Sequence, residues 1–298
     1  MQYRKLGKSD LEISRVGFGC MSLKSDEQTN IRLLHAAMDK GINYFDTADI
    51  YDKGDNETLL GKAFLEKRSQ VILATKVGNV WKADGSGLDW NPSKQHILES
   101  VEGSLRRLHT DYIDLYQLHG GTREDNIGEV IDAFQLLQGQ GKIRYYGISS
   151  IRPNVIRQYV QRSHIVSLMS QYSLLDRRPE ETVLPLMREH NVGVVVRGAL
   201  ASGLLVNKPA REYLGHALSD VAQAQQTIQS LTTEKRDATA VALQHVWHHP
   251  AVTSAIVGIR TEQQLDEAVK ALDAQPLSAG QYQSLWGKIP AKQYEQYR

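Results

Sequence analysis

Short apolar runs alternate with longer segments of helical periodicity along the sequence, and this alternation is the feature that most constrains the fold. It is typical of parallel strands joined by crossover helices. We count about eight such units, and most strand positions are apolar, as strands buried on both faces require. The predicted strands are Val16–Phe18, Tyr44–Asp46, Val71–Lys76, Ile113–Leu118, Ile143–Ser149, Val166–Gln171, Gly193–Val196 and Ser254–Val257.

This repeat predicts an α/β fold of the (β/α)8, or TIM, barrel class. The chain has 298 residues, which suits one barrel of about 250 residues with extensions. No Pro-rich linker or low-complexity tract divides it, so we expect residues 1–298 to form a single domain. Tyr3–Leu6 and Leu11–Ser14 flank a Gly-Lys-Ser-Asp turn, which predicts an N-terminal β-hairpin that closes the barrel floor. A C-terminal tail follows the last unit.

Three other segments carry local predictions. The helical repeat in Pro92–Leu108 predicts a helix with Asn91 as its N-cap and proline in the first turn. Two insertions, Gly78–Trp90 and a polar, helical Asn207–Arg236, follow strand ends. A barrel builds its active site at these ends, so both insertions are expected near it.

Composition narrows the class of partner. Lys and Arg number 35 against 34 Asp and Glu, a formal net charge of +1, so we expect no nucleic-acid or membrane partner. Cys20 is the single cysteine, and neither a signal-peptide h-region nor a membrane-spanning apolar run occurs. We therefore expect a cytoplasmic protein that binds a small molecule. A monomer is the working hypothesis for the oligomeric state, which the sequence does not determine.

Polar residues follow the predicted strands at or just beyond their carboxyl ends: Asp46, Tyr51, Lys76 and His119. In a barrel these ends meet on one rim. A phenol donates a proton weakly at neutral pH, and a nearby ammonium would stabilise the phenolate that remains. Asp46 would keep Lys76 charged, and His119 would donate a hydrogen bond to a substrate carbonyl.

Each of these residues alone is also compatible with a structural role, as an ion pair or a buried histidine. Lys76 could instead form a Schiff base in a barrel lyase, but it would have to be neutral, and Asp46 opposes that. His245 and His249 have i, i+4 spacing, yet a metal site needs a third ligand, so we expect no metal. Trp81 and Trp90 are predicted to form an aromatic wall around the substrate.

The chain resembles the aldo-keto reductase family, in its bacterial general-oxidoreductase-like branch, from Tyr3 to about Leu272. The resemblance rests on VGFGCM, GINYFDTADIYDKGDNETLLGKAF, the TK of LATK, SLRRLHTDYIDLYQLH, GKIRYYGISS, QYSLLDR, ALASGLL and AIVGIRTEQQLDEAV. It implies reduction of aldehydes or ketones by hydride transfer from NADPH, with NADH less favoured. It also implies a catalytic tetrad of Asp46, Tyr51, Lys76 and His119, with Tyr51 as the proton donor to a carbonyl bound by Tyr51 and His119.

The same resemblance implies cofactor contacts. Ser149 and Gln171 would bind the carboxamide, and Ser150 replaces the asparagine usual after that serine. Arg197, followed by Gly198, stands where many relatives stack a tyrosine on the nicotinamide, and its charge would favour the neutral, reduced ring. The ribose would lie against Gly19, Cys20, Met21 and Asp46; the pyrophosphate against Leu200, Ser202, Gly203 and Leu205; and the 2′-phosphate against Gly258, Ile259, Arg260, Thr261 and Gln264.

A second hypothesis from another class is a nicotinamide-binding regulatory or sensor protein with negligible turnover, because the tetrad alone does not exclude it.

Overall fold

Eight parallel strands close into a barrel, as the sequence predicts. The computed structural model describes residues 1–289 and 291–298. Each barrel strand pairs with the next along the chain, and the last pairs with the first. In chain order the strands are the hairpin β1 (Tyr3–Lys5) and β2 (Glu12–Ser14), the barrel strands β3 (Val16–Gly19), β4 (Tyr44–Asp46) and β5 (Ile72–Val77), a second hairpin β6 (Asn79–Trp81) and β7 (Leu88–Trp90), and the barrel strands β8 (Ile113–Leu118), β9 (Ile143–Ser149), β10 (Ser167–Gln171), β11 (Gly193–Arg197) and β12 (Val252–Val257).

Helices connect the barrel strands on the outside. They are α1 (Glu27–Asp39), α2 (Asp55–Phe64), α3 (Lys94–Arg107), α4 (Ile127–Gly139), α5 (Pro153–Arg162), α6 (Val183–Glu189), α7 (Leu218–Ser230), α8 (Ala238–His248), α9 (Glu262–Lys270) and α10 (Ala279–Lys288). Eight of them follow the eight barrel strands in turn, while α7 and α10 are additions to the repeat. The additions pack with α8 in an apolar cluster of their own outside the barrel wall.

The predicted start of α3 is wrong by two residues. Ser93, not Asn91, is the N-cap, and its hydroxyl accepts a hydrogen bond from the peptide N–H of His96 at 3.3 Å. The Asn91 side chain instead accepts from the Ser93 N–H at 3.2 Å. Asn91 therefore shapes the turn that leads into the cap, and both polar residues precede the helix.

The N-terminal hairpin closes the barrel floor, as predicted. Its apolar residues Leu6, Leu11 and Ile13 are at most 2% exposed. Gly7 lies so close to the ends of β10 and β11 that an added Cβ would approach the Val166 carbonyl oxygen to 2.5 Å. The hairpin residues share one apolar cluster with inward-facing side chains of the barrel, among them Tyr44, Ala74, Leu115, Met169 and Val195. The opposite end of the barrel is left for the site.

The two predicted insertions have different structures. Residues 78–90 contain the short hairpin β6–β7, and residues 207–236 contain α7 with turns on either side. Within the described ranges, no helix has the length and apolar character that crossing a membrane requires.

Candidate active site

Asp46 and Lys76 form a buried ion pair at the carboxyl end of the barrel. The Lys76 Nζ atom lies 2.6 Å from Asp46 Oδ1 and 2.6 Å from the Thr47 carbonyl oxygen, and it donates to both. Burial disfavours the ammonium, but the Asp46 carboxylate and the Tyr51 phenol outweigh burial and raise the pKa of Lys76. Lys76 is therefore held as a cation at neutral pH, which disfavours the Schiff-base chemistry of a lyase.

Tyr51 and His119 face each other beside this pair. The Lys76 Nζ atom is 5.1 Å from the centroid of the Tyr51 ring. The rings of Tyr51 and His119 are 6.0 Å apart, centroid to centroid, at an angle of 81°. All three side chains line one cavity of about 430 Å³. The four residues that the sequence predicts as a group thus lie together at the barrel rim.

His119 is a neutral imidazole in this setting. Burial, followed by the charges of Lys76 and Arg197, lowers its pKa to about 3. Its Nδ1 atom is buried and has no hydrogen-bond partner in the described part of the chain. The backbone is fixed on both sides, because the His119 N–H donates to the Val77 carbonyl and Asn79 donates to the His119 carbonyl. A neutral ring keeps one N–H, which can serve a carbonyl oxygen.

Charged residues that are wholly or partly buried lie beside the loop that carries Tyr51. Glu57 is fully buried and accepts from the Thr75 hydroxyl at 2.5 Å and from Arg107 Nε at 2.8 Å. Asp49 lies two residues before Tyr51, and its Oδ1 atom is buried without a partner among the described residues. Burial and then the Glu57 charge raise the pKa of Asp49 to about 7. Sequence reasoning missed this cluster, although the acidic residues of DTADIYDKGDNE were its visible signal.

The Asp49 carboxyl makes folding stability depend on pH. Its pKa is about 7 in the folded chain against 3.8 for an ordinary aspartate, so the folded state holds the proton more tightly. Protonated Asp49 therefore adds up to about 4 kcal/mol to the free energy of unfolding. This contribution is fully present below pH 4 and is lost as the pH rises to 7. We expect Asp49→Asn to gain stability relative to the parent over that range, in urea unfolding at pH 4.5 and pH 8.

Asp52→Asn, which alters an exposed carboxylate of the same loop, is the matched control. A difference between parent and Asp49→Asn that does not change with pH would contradict the prediction.

Neither Trp81 nor Trp90 lines the cavity, contrary to the predicted aromatic wall. The Trp90 ring packs against Gly78, whose added Cβ would lie 2.7 Å from it, and its N–H donates to Asp125 at 2.8 Å. The Trp81 N–H donates to the Ile50 carbonyl at 3.0 Å. These contacts give both indoles a supporting role in the loop. Asn79 and Leu88 of this hairpin line the cavity instead.

Neither Cys20 nor His245 lies in a setting that favours a reactive or metal-binding side chain. Cys20 is fully buried, and burial, then the Asp46 charge, raises the pKa of its thiol, as suits an unreactive cysteine. His245 is 1% exposed, and its Nδ1 atom accepts from Trp286 at 3.3 Å, which is a packing role. No group of three or more His, Cys, Asp or Glu within residues 1–289 and 291–298 has an arrangement that could hold a metal ion.

Comparison with known proteins now identifies the family. The model of the aldo/keto reductase family matches residues 15–289. The chain belongs to this family. It is accordingly an NAD(P)H-dependent oxidoreductase with the barrel fold and the strand-end site described above.

Three relatives illustrate the likeness. The uncharacterized oxidoreductase YqkF of Bacillus subtilis (strain 168) is 47% identical over 307 residues, which span 100% of both chains. The NADH-specific methylglyoxal reductase of Escherichia coli (strain K12) is 34% identical over 229 residues, 70% of each chain. The holo form of the aldo-keto reductase AKR11C1 from Bacillus halodurans has a TM-score of 0.94 at 48% identity and covers 100% of this chain and 99% of that chain.

In this aldo/keto reductase, the residues expected beside a nicotinamide lie at the carboxyl ends of β9, β10 and β11. Ser149 and Ser150 are buried and line the cavity with Arg197. Arg197 Nη1 donates to Gln171 Oε1 at 2.6 Å, and Gln171 Nε2 donates to Asp176 at 2.9 Å. Arg197 is therefore held by the uncharged Gln171 amide, and Gln171 is held in turn by Asp176.

The residues expected beside the phosphates lie in two segments, after β11 and after β12. In the first, Ser202 (φ 57°) and Gly203 (φ 90°) form a tight left-handed turn. In the second, Arg260 is exposed, its N–H donates to Gln264 Oε1 at 2.9 Å, and Thr261 caps α9. Because β11 and β12 are neighbours in the barrel, these segments lie at adjacent strand ends. Met21, which follows β3, also lines the cavity.

Proposed function

We propose that this aldo/keto reductase reduces aldehydes or ketones to alcohols with NADPH, and that Tyr51 is the proton donor. The observation that carries the proposal is the shared cavity of Tyr51, Lys76 and His119, with Lys76 held from behind by Asp46. A phenol, a cation and a neutral N–H on one wall form an environment suited to an oxyanion and to its protonation.

The strand ends fit a nicotinamide dinucleotide. The N-terminus of α9 and the exposed Arg260 offer positive charge to a phosphate, and Arg260 forms no ion pair with a described residue. At the other end, Ser149 supplies a hydroxyl at the cavity wall beside Arg197. Gly198 directly follows Arg197 with a φ of 73°, a left-handed conformation that favours glycine.

Each side chain then has one task. When bound, the reduced nicotinamide supplies a hydride to the carbonyl carbon. His119 donates a hydrogen bond to the carbonyl oxygen and orients it toward Tyr51. The Tyr51 hydroxyl gives its proton to that oxygen as negative charge develops, and Lys76 stabilises the phenolate that remains. Solvent can return the proton to Tyr51 through the open cavity.

The choice of NADPH over NADH rests on Arg260. The relative from Escherichia coli is named as NADH-specific, so the family does not decide the coenzyme. We expect Arg260→Gln to raise the KM for NADPH about 10-fold or more while leaving that for NADH nearly unchanged, because a charged hydrogen bond contributes about 1.5–3 kcal/mol. Lys270→Gln, at the far end of α9, is the control. A loss of affinity for both coenzymes alike would contradict a 2′-phosphate contact.

The proposed activity is tested by following NADPH absorbance with benzaldehyde and with a 1,2-diketone, and by identifying the alcohol formed. Multiple turnovers with a stoichiometric alcohol product would support the proposal. Tight binding of NADPH without turnover on a broad panel of carbonyl compounds would overturn it and favour a sensor or regulatory role.

A further inference from the structure

Two guanidinium groups face the cavity that holds Tyr51 and His119. Arg152 and Arg197 both line it, and no aspartate or glutamate among the described residues does. The third cation of the cavity, Lys76, is neutralised by Asp46 behind it. The cavity therefore carries a net positive charge, although the whole chain has a formal net charge of only +1.

Neither of these two arginines holds a carboxylate of a described residue; Arg152 is half-buried and Arg197 is exposed. Arg152 donates to the Gly121 carbonyl and lies 5.0 Å from the centroid of the Tyr297 ring, and Arg197 donates to the Gln171 amide. Neither forms an ion pair with a described residue. By contrast, carboxylates pair with Arg68, Arg107, Arg144, Arg177 and Arg178. A guanidinium in a concave site without an acidic partner is suited to an anionic ligand.

The two arginines come from the carboxyl ends of different strands. Arg197 ends β11 and is held by Gln171, in the half that the proposed function assigns to the nicotinamide. Arg152 follows β9 and reaches toward Gly121, two residues after His119. Arg152 is thus tied to the segment that follows His119, and it is not among the residues that the proposed function assigns to the nicotinamide. Of the two cations, it is the one left for the substrate.

We infer that the preferred substrates are carbonyl compounds that also carry a carboxylate, and that Arg152 binds this group; the inference rests on the proposed reductase function. A carboxylate can accept two parallel hydrogen bonds from one guanidinium, which fixes the orientation of the molecule as well as its affinity. The apolar cavity residues Ile50, Leu88 and Ile151 would hold the carbon chain between the two polar ends. No acidic side chain of residues 1–289 or 291–298 lines the cavity to repel the anion.

The test compares 4-formylbenzoate with its neutral methyl ester at saturating NADPH. We expect the parent to prefer the carboxylate by about 10-fold to 100-fold in kcat/KM, mainly through KM, because charged hydrogen bonds have this strength. In Arg152→Gln the ratio of the two substrates should fall toward one, while Arg152→Lys should retain part of it. Arg157→Gln, which alters an exposed arginine of the α5 helix that Arg152 precedes, should keep the parent ratio.

A second readout does not depend on turnover. The dissociation constant of 4-(hydroxymethyl)benzoate for the NADPH-loaded protein should rise in Arg152→Gln by a similar factor, with an unchanged melting temperature as evidence of folding. The inference is overturned if the parent reduces both aldehydes equally well, or if Arg152→Gln weakens NADPH binding and keeps the carboxylate preference. If the parent binds NADPH but reduces neither aldehyde, the proposed function itself fails, and the inference falls with it.

Discussion

Tyr51→Phe is expected to lower kcat for carbonyl reduction by about 10²-fold to 10⁴-fold, which is the usual contribution of a general acid. The substitution removes one oxygen atom and leaves the ring beside His119, where the two centroids are 6.0 Å apart. Lys76 keeps its Asp46 partner, so the barrel end should stay intact. NADPH affinity should change by less than about twofold, because binding and positioning do not need the hydroxyl.

Rates of NADPH oxidation and a fluorescence titration with NADPH measure the two effects separately. Tyr116→Phe is the control, because it deletes a tyrosine hydroxyl that lies outside the cavity, where it is buried without a partner among the described residues. Equal rates for parent and Tyr51→Phe would show that another group, or water, delivers the proton.

The barrel and the clustering of the proposed catalytic residues could be predicted because a strand end is visible in the sequence. Asp46 is the last residue of β4, Lys76 is the last but one of β5, and His119 directly follows β8. In each case an apolar run stops at a polar residue, and closure of the barrel brings the ends together. Local pattern and global fold agree here, so the sequence alone identifies the group.

The residues that hold this group could not be predicted in the same way. Glu57 and Arg107 are 50 positions apart and meet only because α2 packs beside α3. In the sequence Arg152 is an ordinary loop residue; its place at the cavity goes with the hydrogen bond that it donates to the Gly121 carbonyl, 31 positions away. Contacts between distant segments depend on packing, which leaves no periodic signal in a single sequence.

The tryptophans are a second case in which the sequence indicates the residues of a loop but not their contacts. Composition indicates that an aromatic-rich loop follows β5, but not which way its side chains point. Antiparallel pairing of Asn79 with Trp90 and of Trp81 with Leu88 puts all four side chains on one face of the hairpin, yet only Asn79 and Leu88 line the cavity. The indoles instead contact distant residues, Asp125 for Trp90 and Ile50 for Trp81, and a single sequence does not reveal such contacts.

Lys76→Met is expected to remove most of the activity. It should also lower the free energy of unfolding by about 3–5 kcal/mol, because the buried Asp46 carboxylate loses its partner. Asp46 is 5% exposed and its other oxygen, Oδ2, already lacks a partner among the described residues. Without the ammonium, both oxygens of the carboxylate would be unpaired in a site with little water. The lost cation also removes the stabilisation of the phenolate, at a cost of about 10²-fold or more in kcat.

The double variant Asp46→Asn with Lys76→Met separates the two effects. It leaves no buried charge at the pair, so most of the lost stability should return, since replacing both partners of a buried ion pair is often close to neutral. Activity should stay as low as in Lys76→Met, because the phenolate still lacks its cation. Urea unfolding gives the stability, and single-turnover rates with NADPH give the chemistry. If stability and activity recovered together, Lys76 would act on catalysis only by keeping the barrel end folded, and a direct role beside Tyr51 would be rejected.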